Sequence, residues 1–335
     1  MRGQWKELSE IVKRFGGARV VVAGDLVLDR FWYGAAERIS REAPVPIVKL
    51  NRAVNLPGCA ANTIWNLAAL GSVPRPVGIV GTESEGRQVL RLFEENRFDC
   101  SGILREPRWE TPTKTRVFAG TLHGPRQQLA RIDSGEQNLL GPDLVEMLKK
   151  TLAAAIENAD ALIFSDYGYG VVEAVFDPDL LRSVPVSAID SRFALTRYEG
   201  LTTATPNEEE FVKACGRPSA EDDRVLEKEG ERLRERMRLA ALLVTRGAKG
   251  MSLFEAGKAP VHLPVVGADQ VVDVTGAGDT VMATYVTALC AGASFVQAAA
   301  IANTAGGIVV QRHGPATTSP QEIREALEAW GAGKL

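Results

Sequence analysis

The chain is poor in the residues that build metal and disulfide sites. Its 335 residues include 4 cysteines and 3 histidines, and the cysteines stand far apart with no C-x-x-C pair. Structural zinc sites need Cys and His ligands at short, defined spacings, so no such site is expected. The scarcity of cysteine also argues against a disulfide-stabilised extracellular domain and favours a reducing cytoplasm.

The chain also lacks an excess of either charge and an unbroken apolar segment. Its 39 basic and 42 acidic residues leave a net charge of −3, so no nucleic-acid partner is expected. The stretch MRGQWKELSEIVKRFGG predicts an amphipathic helix rather than a signal peptide, because it has no apolar core. Gly292 and Ser294 divide the longest apolar region, 281–302, into two predicted buried helices, so no membrane span is expected.

What the sequence has throughout is an alternation of short apolar strands with helix-period segments, such as ARVVVAG before GCAANTIWNLAALG and PRPVGIVG before EGRQVLRLFEENR. This order predicts an α/β fold, with a mainly parallel central sheet covered by helices on both faces. We expect residues 1–335 to form a single domain that binds its ligands at the carboxyl ends of the strands.

Two stretches do not follow this alternation. Residues 30–52 and 111–133 interleave polar and apolar side chains between Gly and Pro turns, which predicts extra strands with no covering helix. We interpret them as a small β-sheet lid, and we expect a homodimer to form through its aromatic patch of Phe31, Trp32 and Tyr33. The alternative is an edge extension of the main sheet with no moving role.

The stretch VVDVTGAGDT, residues 271–280, is the strongest local signal. A β-branched run, a glycine turn and a helix-period segment follow one another, which places the N–H groups of Gly276, Ala277 and Gly278 at a helix N-terminus. Such amides form a cradle for an anion. The stretch matches neither G-x-x-x-x-G-K-[ST] nor G-x-G-x-x-G, so the commonest nucleotide-binding motifs do not explain it.

Asp279 directly follows this predicted cradle. A carboxylate there repels the anion that the amides attract, but it is well placed to be the general base for a hydroxyl that attacks phosphorus. An aspartate in a first turn also stabilises a helix through the helix dipole. The ten residues alone leave both interpretations open.

Six motifs extend this signal along nearly the whole chain. In order they are AGDLVLD (23–29), PGCAANTIWNLAALG (57–71), TPNEEE (205–210), LLVTRGAKG (242–250), DVTGAGDT (273–280) and ANTAGGIVVQRHG (302–314). Together they resemble the motifs of the ribokinase-like (PfkB) family of sugar kinases. The resemblance implies a ribokinase-like fold, transfer of phosphate from ATP to a sugar hydroxyl, and Asp279 as the base. It implies ATP and Mg²⁺ as cofactors, with K⁺ as a further ion.

The predicted lid carries motifs of its own. RISREAPVPIVKL (38–50), TPTKTRV (111–117) and QQLARID (127–133) resemble the D-glycero-β-D-manno-heptose 7-phosphate kinases of that family. The resemblance implies phosphorylation at the anomeric hydroxyl to give the 1,7-bisphosphate. Because the sequence has no H-x-G-H stretch, we expect the nucleotidyltransferase domain linked to those kinases to be absent.

Two other functions remain open. One is a kinase of another sugar, sugar phosphate or nucleoside on the same fold, since a fold does not determine the substrate. The other is a catalytically silent regulator that binds a sugar or nucleotide. Asp279 and the glycines of the 271–280 stretch argue against a catalytically silent regulator, because a binding module needs no base.

The resemblance also assigns residues to the substrate. Those in the core would bind sugar hydroxyls or let the backbone approach the ring: Asp25, Asp29, Asn62 and Gly58. Asp25 would alternatively shape the turn after its strand. Three cations on the lid would suit a substrate that already carries a phosphate: Lys114, Arg116 and Arg131. The alternative for each cation is a solvated charge on an exposed strand.

Nucleotide and ion ligands are implied in the same way. The nucleotide would lie near Asp190, Asn207, Thr245, Gly247 and Asn303. Glu210 would hold Mg²⁺ through water, and its alternative is an ordinary first-turn glutamate. A monovalent-cation site would use Asp273 and Thr275 with carbonyls around Val309, Arg312 and Gly314.

Three positions depart from the heptose-kinase pattern. Cys59 replaces a glycine, Tyr169 replaces a lysine, and Ser191 replaces the proline of a D-P-K triplet. A lysine is therefore lost near the predicted site, and Arg192 could compensate for its charge.

Overall fold

The computed structural model describes residues 4–120, 127–135, 140–216, 222–267 and 271–331. Within these ranges the α-helices are α1 (Gln4–Lys13), α2 (Ala60–Ala69), α3 (Ser84–Glu95), α4 (Pro142–Ala155), α5 (Val171–Val175), α6 (Glu208–Cys215), α7 (Asp223–Arg236), α8 (Ala277–Cys290), α9 (Phe295–Val309) and α10 (Pro320–Gly331). The strands are β1 (Arg19–Gly24), β2 (Leu26–Ile39), β3 (Pro46–Cys59), β4 (Val73–Val80), β5 (Ile103–Arg105), β6 (Thr113–Gly120), β7 (Gln127–Ser134), β8 (Ala161–Asp166), β9 (Val186–Ser191), β10 (Thr203–Ala204), β11 (Ala241–Thr245), β12 (Met251–Glu255) and β13 (Val261–Leu263).

The central sheet has the strand order β13-β12-β11-β10-β9-β8-β1-β4-β5 and is parallel up to β11, while β12 and β13 run antiparallel at one edge. Both of its faces are buried. On β1, Val20 and Val22 lie in the core beneath α2, α8 and α9, whereas Val21 and Ala23 lie in the core beneath α4 to α7. The period of two along each strand therefore supplies both cores, as a parallel sheet between two helical layers requires.

A second sheet projects from the carboxyl edge of the first. Its order is β3-β2-β6-β7, and β2 begins two residues after β1 ends, so the chain passes directly from the core into the lid. These strands coincide with the two stretches that interrupted the alternation, although residues 121–126 lie outside the described residues. The mostly parallel sheet with helices and the small second sheet are confirmed.

The predicted exposed patch of Phe31, Trp32 and Tyr33 on the lid is wrong, because Phe31 is buried and Trp32 faces the other side of the strand. Phe31 is 2% exposed and stacks on Tyr33 and Phe118 with ring centroids 6.4 and 6.2 Å away. Successive residues of a strand face opposite sides, so Trp32 cannot share that stack. The apolar side chains that the outer lid exposes are aliphatic, among them Ile39 and Ile132.

The two predicted buried helices near the C-terminus are confirmed as α8 and α9. Gly292 has φ +83° in the turn between α8 and α9, and Ser294 and Gln297 bond each other's backbone N–H groups at the start of α9. In the described part of the chain, we find no helix with the length and apolar content needed to cross a bilayer.

The helix-period stretch GVVEAVFDPDLLRS does not form one continuous helix. It contains α5 and a separate 3₁₀ turn at Leu180–Ser183. Pro178 disfavours helical backbone in the residue before it, so the chain leaves the helix at Phe176, whose ψ is 123°.

Candidate active site

A cleft of about 330 Å³ opens between the lid and the carboxyl ends of β1 and β8 to β11. Its lining includes most of the predicted site residues: Asp29, Asn62, Lys114, Arg116, Arg131, Asp190, Asn207, Glu210, Thr245, Thr275, Gly276, Gly278 and Asp279. The remainder of its lining includes Cys59, Tyr167, Arg192, Thr205, Glu209, Lys213, Val274 and Pro315. Residues from opposite ends of the chain therefore meet in one concave site.

Asp279, in the first turn of α8, is 5% exposed and is held by three side-chain donors. The amide of Asn62 donates to Oδ2 at 2.7 Å, while the hydroxyls of Thr63 and Tyr167 donate to Oδ1 at 3.0 and 3.1 Å. Burial raises the pKa of Asp279 to about 6, and these three hydrogen bonds oppose the rise. A carboxylate has about four lone-pair sites, so Oδ2 keeps one for an incoming proton.

A buried polar bridge fixes α2 against α8 behind this carboxylate. Asn66 donates to the carbonyl of Asn62 at 2.9 Å and accepts from the hydroxyl of Thr280 at 2.8 Å. Asn62 and Asn66 lie one helical turn apart, so both face α8. Asn62 and Asn66 on adjacent turns of α2 therefore hold two consecutive residues of α8, Asp279 and Thr280, and this fixes the base relative to its donor.

The glycine turn before Asp279 has two different glycines. Gly276 adopts φ +79°, and a Cβ there would lie 2.6 Å from the amide nitrogen of Asn62. Gly278 lines the cleft, and a Cβ there would meet no atom within 4 Å. The predicted cradle of three outward amides is wrong for Ala277, whose N–H closes the turn by donating to the carbonyl of Val274 at 3.2 Å.

The lid end of the cleft contains an ion pair. Arg116 donates to Asp29 at 2.7 Å, and both side chains are largely buried. A Cβ at Gly58 would lie 2.8 Å from the carboxyl carbon of Asp29, so this glycine makes room for a side chain of the protein. The acid predicted to bind sugar hydroxyls is therefore already oriented by the protein.

Asp25 lies outside this lining. It is 1% exposed and accepts the backbone N–H groups of Tyr167, Tyr169 and Val171 at 2.8, 3.2 and 3.3 Å. Burial raises the pKa of Asp25 to about 7, and the three donors oppose that rise. Of its two predicted roles, the structure places Asp25 in the structural one, although it shapes the loop after β8 and not the turn after its own strand.

The two other lid cations differ in their partners. Arg131 bonds Asp133 on its own strand, which raises the pKa of Arg131 and lowers that of Asp133. Lys114 is 6% exposed, and no ion pair among the described residues includes it. Its Nζ lies 3.0 Å from Sγ of Cys59, a thiol whose pKa is raised by burial. Of the three lid cations, Lys114 is therefore the one whose positive charge is not neutralised by a carboxylate of the described residues.

The opposite end of the cleft carries three acids, Asp190, Glu209 and Glu210, beside the cations Arg192 and Lys213. Asn207 and Glu210 form a reciprocal capping box at the start of α6, and Asn207 is bridged to Thr245 on β11. Burial raises the pKa of both Asp190 and Glu210, and the charge of Glu210 raises that of Asp190 further. Each carboxylate makes ionisation of the other less favourable, and a cation bound beside both of them would relieve this repulsion.

Two predicted nucleotide residues lie apart from the lining. Gly247 begins a 3₁₀ turn just after Thr245 with φ +53°. Asn303, on α9, donates to the carbonyl of Pro264 at 2.7 Å and faces a smaller apolar cavity beside Trp5.

The residues predicted to bind a monovalent cation cluster behind the glycine turn. Asp273 accepts the N–H groups of Thr275 and Gly314, both at 2.9 Å. Burial alone would raise the pKa of Asp273, but these bonds outweigh it and lower the pKa. The carbonyl of Val309 accepts the N–H of Arg312 at 3.0 Å, so it is engaged within its own turn.

Sequence reasoning missed Tyr167 and Lys213, which line the cleft, and Thr63, a buried residue that bonds Asp279. Tyr167 follows the end of β8, and the carboxyl ends of parallel strands are where ligands bind, so position along the sheet was the available signal. Thr63 adjoins Asn62, but nothing local shows that its hydroxyl reaches α8. Lys213 lies one helical turn beyond Glu209 in a helix rich in charged residues, so the sequence did not show that its side chain faces the cleft.

A carboxylate beside a glycine turn, in a cleft between a parallel sheet and a strand lid, defines a sugar phosphotransferase. The chain belongs to the pfkB family of carbohydrate kinases, whose model matches residues 18–322. It is 43% identical over 329 residues to Bifunctional protein HldE of Hahella chejuensis, and 38% identical over 325 residues to that of Haemophilus influenzae strain PittEE. Each alignment covers 96% of this chain and 66% of the relative.

Solved structures show the same fold at lower identity. Arabidopsis thaliana ribokinase complexed with ribose and ATP superposes with a TM-score of 0.68 at 18% identity, covering 93% of this chain and 99% of that one. Escherichia coli phosphofructokinase-2 in complex with potassium gives a TM-score of 0.74 at 16% identity, covering 94% and 99%. The ribokinase-like fold is therefore established.

Proposed function

We propose that this kinase transfers the γ-phosphate of ATP to the anomeric hydroxyl of D-glycero-β-D-manno-heptose 7-phosphate and forms the 1,7-bisphosphate. The observation that carries the catalytic part is Asp279, a buried carboxylate held by three donors with one lone pair of Oδ2 left for a proton. A binding module has no use for such a group, so the silent regulator is disfavoured.

Asp279 takes the proton from the attacking hydroxyl, and that oxygen forms its bond to the γ-phosphorus as the bond to ADP breaks. The helix N-terminus at Gly276 and Gly278 faces the transferring group and stabilises the charge that develops on it. The pKa of about 6 leaves Asp279 ionised at neutral pH, yet close enough to neutrality to accept a proton.

Magnesium fits the acidic end of the cleft. The described residues contain no cluster of three His, Cys, Asp or Glu side chains that could hold a metal by themselves. Mg²⁺ instead binds one or two carboxylates together with phosphates and water, and Glu210 and Asp190 would supply them. The ion would neutralise the phosphates against the surrounding acids. K⁺ would bind at Asp273 and stiffen the turn that carries the cradle.

The heptose phosphate is supported by the lid and by the relatives named HldE. Lys114 is a buried ammonium that pairs with no carboxylate of the described residues, and a neutral sugar would leave its charge uncompensated. Asp29 would accept from sugar hydroxyls in the orientation that Arg116 imposes. Tyr169 stands where the heptose kinases have lysine, so the second candidate is a kinase of another sugar phosphate with Lys114 in the same role.

A homodimer through the lid is the proposed assembly. The outer lid exposes Ile39, Leu50 and Ile132, a set of aliphatic side chains that a monomer would leave in water. Sedimentation of the wild-type chain and of Ile39→Lys tests it, and a monomeric wild type would contradict the assembly.

The experiment for the reaction is ATP consumption over a panel of heptose 7-phosphate, fructose 6-phosphate, ribose and fructose at equal concentration, with product position read by phosphorus NMR. We expect heptose 7-phosphate to be preferred and the new phosphate to sit on the anomeric oxygen. Preference for a neutral sugar would overturn the substrate, and no turnover with any acceptor would overturn the reaction.

A further inference from the structure

Tyr167 contacts two chemically different groups of the cleft. Its hydroxyl donates to Oδ1 of Asp279 at 3.1 Å, and its ring lies 4.9 Å from Nζ of Lys114. Asp279 belongs to α8 in the core, whereas Lys114 belongs to β6 in the lid. One side chain therefore links the carboxylate of Asp279 to the ammonium of Lys114.

We propose that Tyr167 is a positioning residue that aligns the base and the phosphate-binding ammonium together, the first through its hydroxyl and the second through its ring. The inference rests on the proposed function, in which Asp279 removes the proton and Lys114 binds the phosphate that the substrate already carries. Tyr167 thereby sets the distance between the two ends of the acceptor.

The ring is a main constraint on Lys114. Arg116 and Arg131 each have a carboxylate partner, but Lys114 has none among the described residues, and a thiol is a weak acceptor. An ammonium over the face of a tyrosine is attracted by the ring, more strongly when water is excluded. The ring of Tyr169 lies farther from the ammonium, at 5.9 Å.

The loop that carries Tyr167 is itself fixed. The carboxylate of Asp25 accepts the N–H groups of Tyr167, Tyr169 and Val171. Gly168 and Gly170 adopt φ +83° and +97°, which lets the loop turn so that these amides converge. Burial also raises the pKa of Tyr167 well above its usual value, so its hydroxyl stays a donor at neutral pH.

The test compares three variants for kcat and KM across pH. Tyr167→Phe removes the hydroxyl and keeps the ring, whereas Tyr167→Leu removes both. Tyr198→Phe is the matched control, because the Tyr198 hydroxyl also bonds a carboxylate, that of Asp166 at 3.0 Å, outside the cleft lining. Thermal melts verify folding, and Tyr167→Met replaces Tyr167→Leu if the latter does not fold.

Tyr167→Phe is expected to lower kcat about tenfold or more and to leave the KM of the phosphosugar within about twofold. Loss of a donor to the charged form raises the pKa of the base, so the acid limb of kcat moves up by about one pH unit. The other charged or titratable groups that line the cleft are unchanged in this variant: Asp29, Cys59, Lys114, Arg116, Arg131, Asp190, Arg192, Glu209, Glu210 and Lys213. Tyr167→Leu should add a rise in KM of about fivefold or more.

An unchanged kcat and acid limb in Tyr167→Phe would overturn the role of the hydroxyl, and an unchanged KM in Tyr167→Leu would overturn that of the ring. If Tyr198→Phe had equal effects, the changes seen in the Tyr167 variants would reflect a general loss of stability, and the proposal would be overturned. If the wild type prefers a neutral sugar, the substrate proposal fails, and with it the phosphate role of Lys114. The Tyr167→Phe comparison on that sugar still decides whether the hydroxyl aligns the base.

Discussion

The side-chain amide of Asn62 donates a 2.7 Å hydrogen bond to Oδ2 of Asp279, across 217 positions of sequence. Asn62 was expected to touch the sugar, and the structure adds that it holds the base. With one hydrogen committed to the carboxylate, its carbonyl and second N–H remain to be shared between Asn66 and a ligand. The residue that orients the base therefore borders the acceptor as well.

Asp279→Asn should abolish turnover while leaving the fold and nucleotide binding intact. The amide has nearly the same shape but cannot accept the proton, and a general base contributes on the order of a hundredfold to ten-thousandfold. Steady-state kinetics and calorimetric titration with ATP measure the two properties. Asp143→Asn, on the exposed first turn of α4, is the control for the loss of one charge. Near-normal phosphoryl transfer by Asp279→Asn would refute the assignment.

The two glycines of the cradle should respond differently to the same added methyl group. Gly276→Ala must adopt φ +79° and place its Cβ 2.6 Å from Asn62, so it should lose both stability and activity. Gly278→Ala has room within the protein and should keep its stability, but it should lose rate because its methyl group enters the cleft. Urea denaturation and kcat distinguish them. Equal denaturation midpoints for the two variants would contradict the prediction.

Activity should rise with pH through the pKa of the base. Only ionised Asp279 accepts a proton, so kcat/KM should fall as pH drops below about 6, by about tenfold for each further pH unit. The group is an acid whose pKa is raised, so the inactive form is the protonated one and the loss lies on the acid side. Initial rates from pH 4.5 to 8 give the profile. A flat profile down to pH 4.5 would mean that another group accepts the proton.

The sequence predicted best what is local or carried by one element. The glycine turn, the start of α8 and Asp279 lie within ten residues, so one stretch placed them together. Contacts that join distant segments could not be predicted in this way. The pairing of Arg116 with Asp29 depends on how β6 lies beside β2, and so does the finding that Lys114 pairs with no carboxylate in the described part of the chain.

Other misjudged features have the same cause. Phe31 was expected on an exposed patch, because a strand reveals its alternation but not which face is covered. Ala277 was expected to offer its N–H to a ligand, whereas the turn geometry gives that group to Val274. For Asp25, the sequence left open a sugar-binding role beside Asp29 and a structural role in the turn after β1. Where the chain passes from β1 into β2, the side chain of Asp25 faces the loop after β8, whereas that of Asp29 lines the cleft.

Lys114→Met should raise the KM of the phosphosugar by about tenfold or more, since a charge-assisted bond contributes about 1.5 to 3 kcal/mol. Methionine fills a similar volume. The thiol of Cys59 loses Lys114 as a donor, which costs little because a thiol is a weak acceptor. Arg131→Met is the matched comparison, because Arg131 is already paired with Asp133 and should matter less. A KM that does not respond to Lys114→Met would exclude this lysine from binding the phosphate.

Potassium should accelerate the reaction more than sodium does. The carboxylate of Asp273 joins the N–H of Thr275, at the entrance to the glycine turn, to the N–H of Gly314 beyond α9. A cation held by the same carboxylate and nearby carbonyls would fix the turn and its amides without touching the substrate. Rates are compared in potassium, sodium and tetramethylammonium chloride at constant ionic strength. In Asp273→Asn the preference for potassium should shrink, whereas in Asp143→Asn it should persist. Identical rates in the three salts would show that no such ion takes part.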